Sequence, residues 1–214
     1  MNDQTWEIQG HTLEYFDDDH VYLVDGMIVP SITQILKHRF GGMYSHVDSE
    51  TLRRASEAGT HVHDAVEHLI RTGEVTDLPE VRNFMFLQKQ YGFTVCDCEM
   101  PLILWMDDEP VSAGRCDLIL QMDGKIGGAD IKRTSSLDKE YLSYQLNLYR
   151  TAFRQSYGVE WEFLRGIHLR EDVRKFVNIP INEDVALEIV REYKDRYEYV
   201  VPKDSIMDVI RRKI

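Results

Sequence analysis

Apolar and polar positions change their period several times along the 214-residue chain, and each change marks an element. Near the start, Thr12 to Phe16 and His20 to Val24 alternate in the manner of strands. Asp17-Asp18-Asp19 and Asp25-Gly26 are turn sequences, so this stretch predicts a β-ribbon. Pro30-Ser31 then opens a short helix to about Lys37, with Ser31 as its N-cap. From Ser49 the period lengthens. Ala55, Ala58, Val62, Val66 and Leu69 recur at spacings of three and four, one apolar stripe on a helix capped by Ser49 and ending near Gly73. A second helix is expected over Glu80 to Tyr91, stopping at Gly92.

The centre returns to strands at Phe93 to Trp105, Val111 to Gln121 and Lys125 to Lys132. Asp107-Asp108-Glu109-Pro110 and Asp123-Gly124 separate them. An amphipathic helix over Leu137 to Tyr157 follows, then strands near Glu160 to Leu169 and Lys175 to Ile179, and a last helix over Glu183 to Tyr199. No repeat or Pro/Ser-rich linker divides the chain, so one domain is expected over 1–214. Its parts are an N-terminal ribbon and short helix (1–48), a core (49–180) and a C-terminal helical segment (181–214). The element order predicts an α/β fold with a central mixed β-sheet flanked by helices.

Composition adds limits. The chain is 43% hydrophobic and 29% charged, as ordinary globular proteins are. No apolar run approaches the ~20 residues that span a bilayer. The opening Met-Asn-Asp-Gln-Thr-Trp-Glu is acidic where a signal peptide is basic and then apolar, so a cytoplasmic protein is expected. Cys96, Cys98 and Cys116 are odd in number, and no cysteine follows Cys116. The four spaced thiolates of a zinc ribbon or iron–sulfur cluster are missing, and buried reduced thiols are the expectation. A net charge of −12 argues against a broad basic footprint for nucleic acid. The local field of one cleft matters more than the sum, and part of the acidity falls in a cluster that divalent cations would neutralise.

That cluster lies in Gly114-Arg115-Cys116-Asp117 and Gly128-Ala129-Asp130-Ile131-Lys132. Asp130 and Lys132 are two apart on a strand and leave the same face. Asp117 belongs to the preceding strand of the hairpin, within reach of an ion shared with Asp130. Two carboxylates and the backbone carbonyl of Ile131 are hard oxygen donors suited to Mg²⁺ or Mn²⁺. Such an ion polarises a phosphate and acidifies an attacking water, and Lys132 would orient that water or offset phosphoryl charge. An ordinary solvent-facing hairpin is the alternative. Against it, Asp117 and Asp130 each interrupt an apolar strand, where an unpaired charge is costly.

Two helices could serve the same centre. In the first, ~100° per residue places His63 and Glu67 on one flank of the apolar stripe and His61 and His68 on the other, so all four cannot bind one ion. A lactamase-type His-x-His motif would also need an acid where Ala65 stands. Gly59, one turn before His63, leaves room for a bulky neighbour. In the helix after Lys132, Leu142, Leu146 and Phe153 form the buried stripe, with Gln145 and Tyr149 together at its edge.

Taken in order, Gly59 to His63 with Glu67, then Glu99, Gly114-x-x-Asp117, Asp130-Ile131-Lys132 and Gln145-x-x-x-Tyr149 resemble the PD-(D/E)XK nuclease superfamily. More narrowly, they resemble its RecB-type, phage exonuclease-like branch. The resemblance runs from about Leu52 to Phe153. His20-x-Tyr22 with Val29 to Thr33 is similar to the opening of phage-encoded members. It implies that His63, Asp117 and Asp130 ligate the metal, that Lys132 is catalytic, and that Gln145 and Tyr149 support it near the substrate. Glu67 and Glu99 match acidic positions of varying role. Several members of the branch bind an iron–sulfur cluster through C-terminal cysteines, which this chain lacks, so a cluster-free member is implied.

The expected phosphate contacts are Arg53, Arg54, Arg133, Thr134 and Ser135, with Ser136 beside them and Lys37, His38 and Arg39 extending the path. The expected activity is a Mg²⁺- or Mn²⁺-dependent deoxyribonuclease on single strands or duplex ends, encoded by a bacterium or phage. Recombination or replication proteins are the expected partners. A flap endonuclease on the same fold, or a binding module without catalysis, are the alternatives. Polarity and oligomeric state stay open.

Overall fold

A computed structural model describes residues 3–17, 20–44 and 47–197. Its centre is a five-stranded sheet of β5 (Thr94–Met106), β6 (Glu109–Met122), β7 (Lys125–Lys132), β8 (Phe163–Leu169) and β9 (Arg174–Ile179), in that spatial order. Neighbours run antiparallel except β7 and β8, which are parallel and joined through helix α4 (Lys139–Tyr157). The sheet is therefore mixed. The β6–β7 hairpin turns on Asp123 and Gly124, both at positive φ, the conformation a two-residue hairpin demands.

Helices cover both faces. On one lie α1 (Ile32–Phe40), α4 and α5 (Glu183–Tyr197), sharing a core with Leu102, Leu104, Cys116 and Trp161. On the other lie α2 (Ser49–Thr72) and α3 (Pro79–Tyr91), packed through Val62, Val66, Phe84 and Leu87 onto Leu118, Leu120, Ile131 and Ile167. This is the expected α/β architecture, a central mixed sheet flanked by helices. Close packing fixes small residues in the sheet: a Cβ on Gly128 would stand 2.1 Å from Cζ3 of Trp161.

Several details differ from expectation. The N-terminal ribbon is a four-stranded antiparallel sheet of β1 (Gln4–Ile8), β2 (His11–Phe16), β3 (Val21–Val24) and β4 (Met27–Val29). Its strand β1 is mostly polar, with only Trp6 and Ile8 apolar, and has no long apolar run to announce it. Of the Asp17-Asp18-Asp19 turn, residues 18 and 19 lie outside the described residues, as does the helical segment beyond 197. Asp48, one residue before Ser49, caps α2 by accepting from the Thr51 N–H at 2.9 Å. Ser31 caps α1 as expected, in a reciprocal capping box with Gln34.

Cys98 and Cys116 are buried, but Cys96 is exposed, because a register shift between Val95 and Asp97 turns it outward. Helix α4 is not amphipathic at Gln145 and Tyr149. Both are inside, 3% and 4% exposed, because the sheet, α1 and α5 enclose the helix. The apolar stripe of α2 is buried only from Val62 onward. Ala55 stays exposed, because the first turns of the helix overhang the edge of the core. Among the described residues no helix is long and apolar enough to cross a membrane.

Candidate metal centre

The ladder between β6 and β7 ends at the pair Leu118–Ala129, and the next residues along are Asp117 and Asp130. There the Asp117 carboxylate accepts the N–H of Ile131 at 2.7 Å, which ties the two strand ends together. Asp130 is 1% exposed, and its Oδ2 stands 2.5 Å from Nζ of Lys132. Its Oδ1 is buried and has no hydrogen-bond partner among the described residues. Helix α2 crosses above and delivers His63. One ring nitrogen, Nε2, is 3.0 Å from the Ile131 carbonyl, and Nδ1 is 3.4 Å from Oδ2 of Asp117. The two residues on the opposite flank, His61 and His68, are exposed, and His68 pairs with Glu74.

On the other side of β6, Glu99 falls opposite Asp117 by the register of the flanking pairs Cys98–Leu118 and Met100–Cys116. Glu99 has a φ of 53°, a strained backbone for a non-glycine residue. Like charges facing each other across strands are also unfavourable. Both unfavourable features would be relieved by a cation between the two carboxylates. Ligand atoms of His63, Glu99 and Asp117 lie within 4.8 Å of one another. Ligands on adjacent corners of a small octahedral ion sit about 3 Å apart, so a modest side-chain adjustment closes this set.

The electrostatics agree. Burial, and next the Asp117 charge, push Glu99 up from 4.5 to about 7. Burial and Asp117 likewise push Asp130 from 3.8 to about 6, against the opposing pull of Lys132 and His63. Burial pulls Lys132 down, but Asp130 and Asp117 outweigh it and the ammonium is held above its ordinary range. Tyr149 is driven well up, first by burial and then by Asp117 and Asp130, and stays a phenol. The donor set is imidazole, carboxylate and carbonyl. With a buried carboxylate oxygen left unsatisfied beside it, it fits a hard divalent ion such as Mg²⁺ or Mn²⁺. His63, Asp117 and Glu99 could hold the ion, together with the Ile131 carbonyl; Asp130, expected as a ligand, stands outside that close group, because it is buried and paired with Lys132.

The centre opens into a cleft of about 830 Å³ walled by the overhanging start of α2, the end of β7 and the loop after it. Gly59 lines it with nothing within 4 Å of a Cβ position, so the open space expected there exists. Glu67 lines it too, although its carboxylate is engaged by Arg71 at 2.7 Å. Arg133, Thr134 and Ser135 face the cleft, and Arg133 is anchored 3.0 Å from the buried Glu80. Arg53 and Arg54 do not face it. They are exposed and engaged by Glu50 and Glu57 on their own helix, while Thr51, Leu52 and Ala55 turn toward the cleft.

Gln145 lies beneath the site rather than on its surface, donating to the Tyr149 hydroxyl at 3.4 Å. The Tyr149 ring packs against Gly114, where a Cβ would meet it at 3.3 Å, which accounts for a glycine three residues before Asp117. His38 and Arg39 turn to Arg196, Tyr193 and Tyr144 and leave the path.

Sequence reasoning missed Arg115. Two residues before Asp117 on the same strand, its guanidinium lies over the Tyr15 ring at 5.0 Å and 3.7 Å from Glu99. The i, i+2 spacing from Asp117 was a usable signal. Its partners Tyr15 and Tyr22, on β2 and β3, could only be brought to it by the tertiary fold.

No family model and no curated protein matches the sequence. Among solved structures, the chain is similar to one titled "Crystal structure of SSO0001". The identity is 14%, over 82% of this chain and 78% of that one, with a TM-score of 0.45, and at that score the likeness carries no argument.

Proposed function

We propose that the protein is a divalent-metal-dependent DNA nuclease, an exonuclease acting on single strands or duplex ends. The observation that carries this reading is the meeting of His63, Glu99 and Asp117, whose ligand atoms lie within 4.8 Å of one another, with the Ile131 carbonyl and the Lys132 ammonium in an open cleft and Asp130 buried behind, paired to Lys132. A divalent ion bound there supplies Lewis acidity toward a phosphoryl oxygen and lowers the pKa of a water.

The chain's own groups do the rest. Lys132 is kept charged by Asp130, so it acts as a hydrogen-bond donor and counter-charge to the phosphoryl oxygens and not as a proton acceptor. Asp117 holds the strand ends in register through the Ile131 N–H, which fixes where the Ile131 carbonyl points. Arg133 and Ser135 offer donors to the phosphates on either side of the scissile bond, the Glu80 carboxylate orients the arginine, and the Thr134 hydroxyl shapes the loop by donating to the Ser136 carbonyl at 2.7 Å.

Incubation with linear and circular, single- and double-stranded DNA under Mg²⁺ and under Mn²⁺ tests the proposal. The expected result is degradation of linear strands with circular single strands protected, abolished by Lys132→Ala and by Asp117→Ala in folded protein. Full activity in both variants would remove the assignment.

A further inference from the structure

The crossover from β7 to α4 carries Arg133, Thr134 and Ser135 along the edge of the cleft, and its shape decides where their donors point. The ladder between β7 and β8 ends at the pair Lys132–His168, so the residues that follow need other fastenings. Glu80, buried in the first turn of α3, takes Nε of Arg133. Asp138 caps α4 by accepting the Tyr141 N–H at 2.9 Å. Between these two anchors the backbone is held from beneath by a residue of β8. His168 stands beside Lys132 in the parallel ladder, on the same face of the sheet, and its Nε2 is 2.7 Å from the Thr134 carbonyl.

A carbonyl only accepts, so Nε2 carries the proton and donates. The imidazole is 2% exposed, and its Nδ1 is buried with no hydrogen-bond partner among the described residues. A buried nitrogen left so is unfavourable, and an apolar side chain would fill the place without that cost. What the imidazole adds is the bond to Thr134. A peptide is planar and trans, so fixing the Thr134 carbonyl also fixes the Ser135 N–H, which points the opposite way. The same bond holds the chain directly after Arg133.

We infer that His168 is a positioning residue: by holding the Thr134 carbonyl it sets where Arg133 and Ser135 offer their donors to a phosphate. The inference rests on the nuclease reading for that phosphate, but the tether itself can be measured without DNA. Three variants separate the bond from the bulk. His168→Leu removes both ring nitrogens and keeps an apolar side chain. His168→Asn keeps an amide whose nitrogen stands about where Nδ1 does, too short to reach Thr134. His168→Gln is one methylene longer and returns an N–H to about the place of Nε2.

Trypsin reads the tether in the intact chain, because it cuts after Lys132 and Arg133. Native-state nicking there should be about fivefold or more faster in the Leu and Asn variants, and near the unmodified rate in the Gln variant. Steady-state cleavage of a linear single-stranded oligonucleotide under Mg²⁺ reads the consequence. KM should rise about fivefold to thirtyfold in the Leu and Asn variants with kcat within about twofold, and glutamine should restore most of it. A role in folding alone would lower the active fraction, and so kcat, at an unchanged KM.

Unchanged nicking in the Leu and Asn variants would overturn the tether. So would a fall in kcat at fixed KM, or a Gln variant no better than Asn. Should one of the two loss variants fail to fold, the other carries the test. Failure of both would show a structural residue and overturn the inference equally. Faster nicking in a protein that cleaves no DNA in any form would refute the nuclease and keep the tether. Cleavage with an unmoved KM would keep the nuclease and refute the positioning.

Discussion

Replacing Glu99 with glutamine should make the protein more stable in neutral, divalent-free buffer, an unusual result for a buried charged residue. The carboxyl is pushed from 4.5 to about 7 by burial and by Asp117, so the folded state resists its ionisation. A raised acid contributes stability that is complete below its unfolded pKa and lost as pH climbs through its folded one. For Glu99 that window runs from about 4.5 to about 7. A rise of that size is worth up to about 3 kcal/mol at pH 8.

Burial is the larger cause, and repulsion from Asp117, whose ligand atom lies within 4.8 Å of that of Glu99, adds to it. Glutamine removes the charge, keeps the shape and forfeits the ion pair with Arg115 at 3.7 Å, an offset of about 1 kcal/mol. The net expectation is a gain of about 2 kcal/mol at pH 8, or roughly 4–8 °C in Tm for a domain of this size, shrinking toward zero at pH 4. Thermal melts of both proteins from pH 4 to 8 in chelator-treated buffer measure it. A melting temperature lowered equally at both ends of that range would refute the reasoning.

The other outcomes concern the same centre and the core around it. At pH 8, Mn²⁺ at a hundredfold excess over its Kd should stabilise the unmodified protein by about 2.7 kcal/mol, and melts of Asp117→Asn should show most of that gone. Gly128→Ala should destabilise by several kcal/mol, because its methyl would press into Trp161, and denaturant titration reads the change. With a thiol reagent at pH 8, Cys96 should label fast in the native protein. Cys98, pushed to about 11 by burial, and Cys116, fully buried, should label only on unfolding.

Strand and helix periods, read in one dimension, determined most of the architecture. The alternation through Val111 to Lys132 and the three-and-four spacing through α2 depend only on which side of an element faces water, a local property. Asp117, Asp130, Ile131 and Lys132 were legible for the same reason, since two-residue spacing fixes a common face before any folding is known. Three-dimensional closure decided the rest.

Whether Gln145 and Tyr149 lie at an edge or inside depends on what packs around α4, and α1 with α5 enclosed them. Arg53 and Arg54 look like phosphate contacts until Glu50 and Glu57, one turn away, take them. Glu99 gained its weight from standing opposite Asp117, and Arg115 from a sheet folded back from residues 4–29 through Pro30. A side chain's face is written in its spacing. Its partner, and so its charge state and its chemistry, comes from chain segments far away in sequence, which only packing brings together.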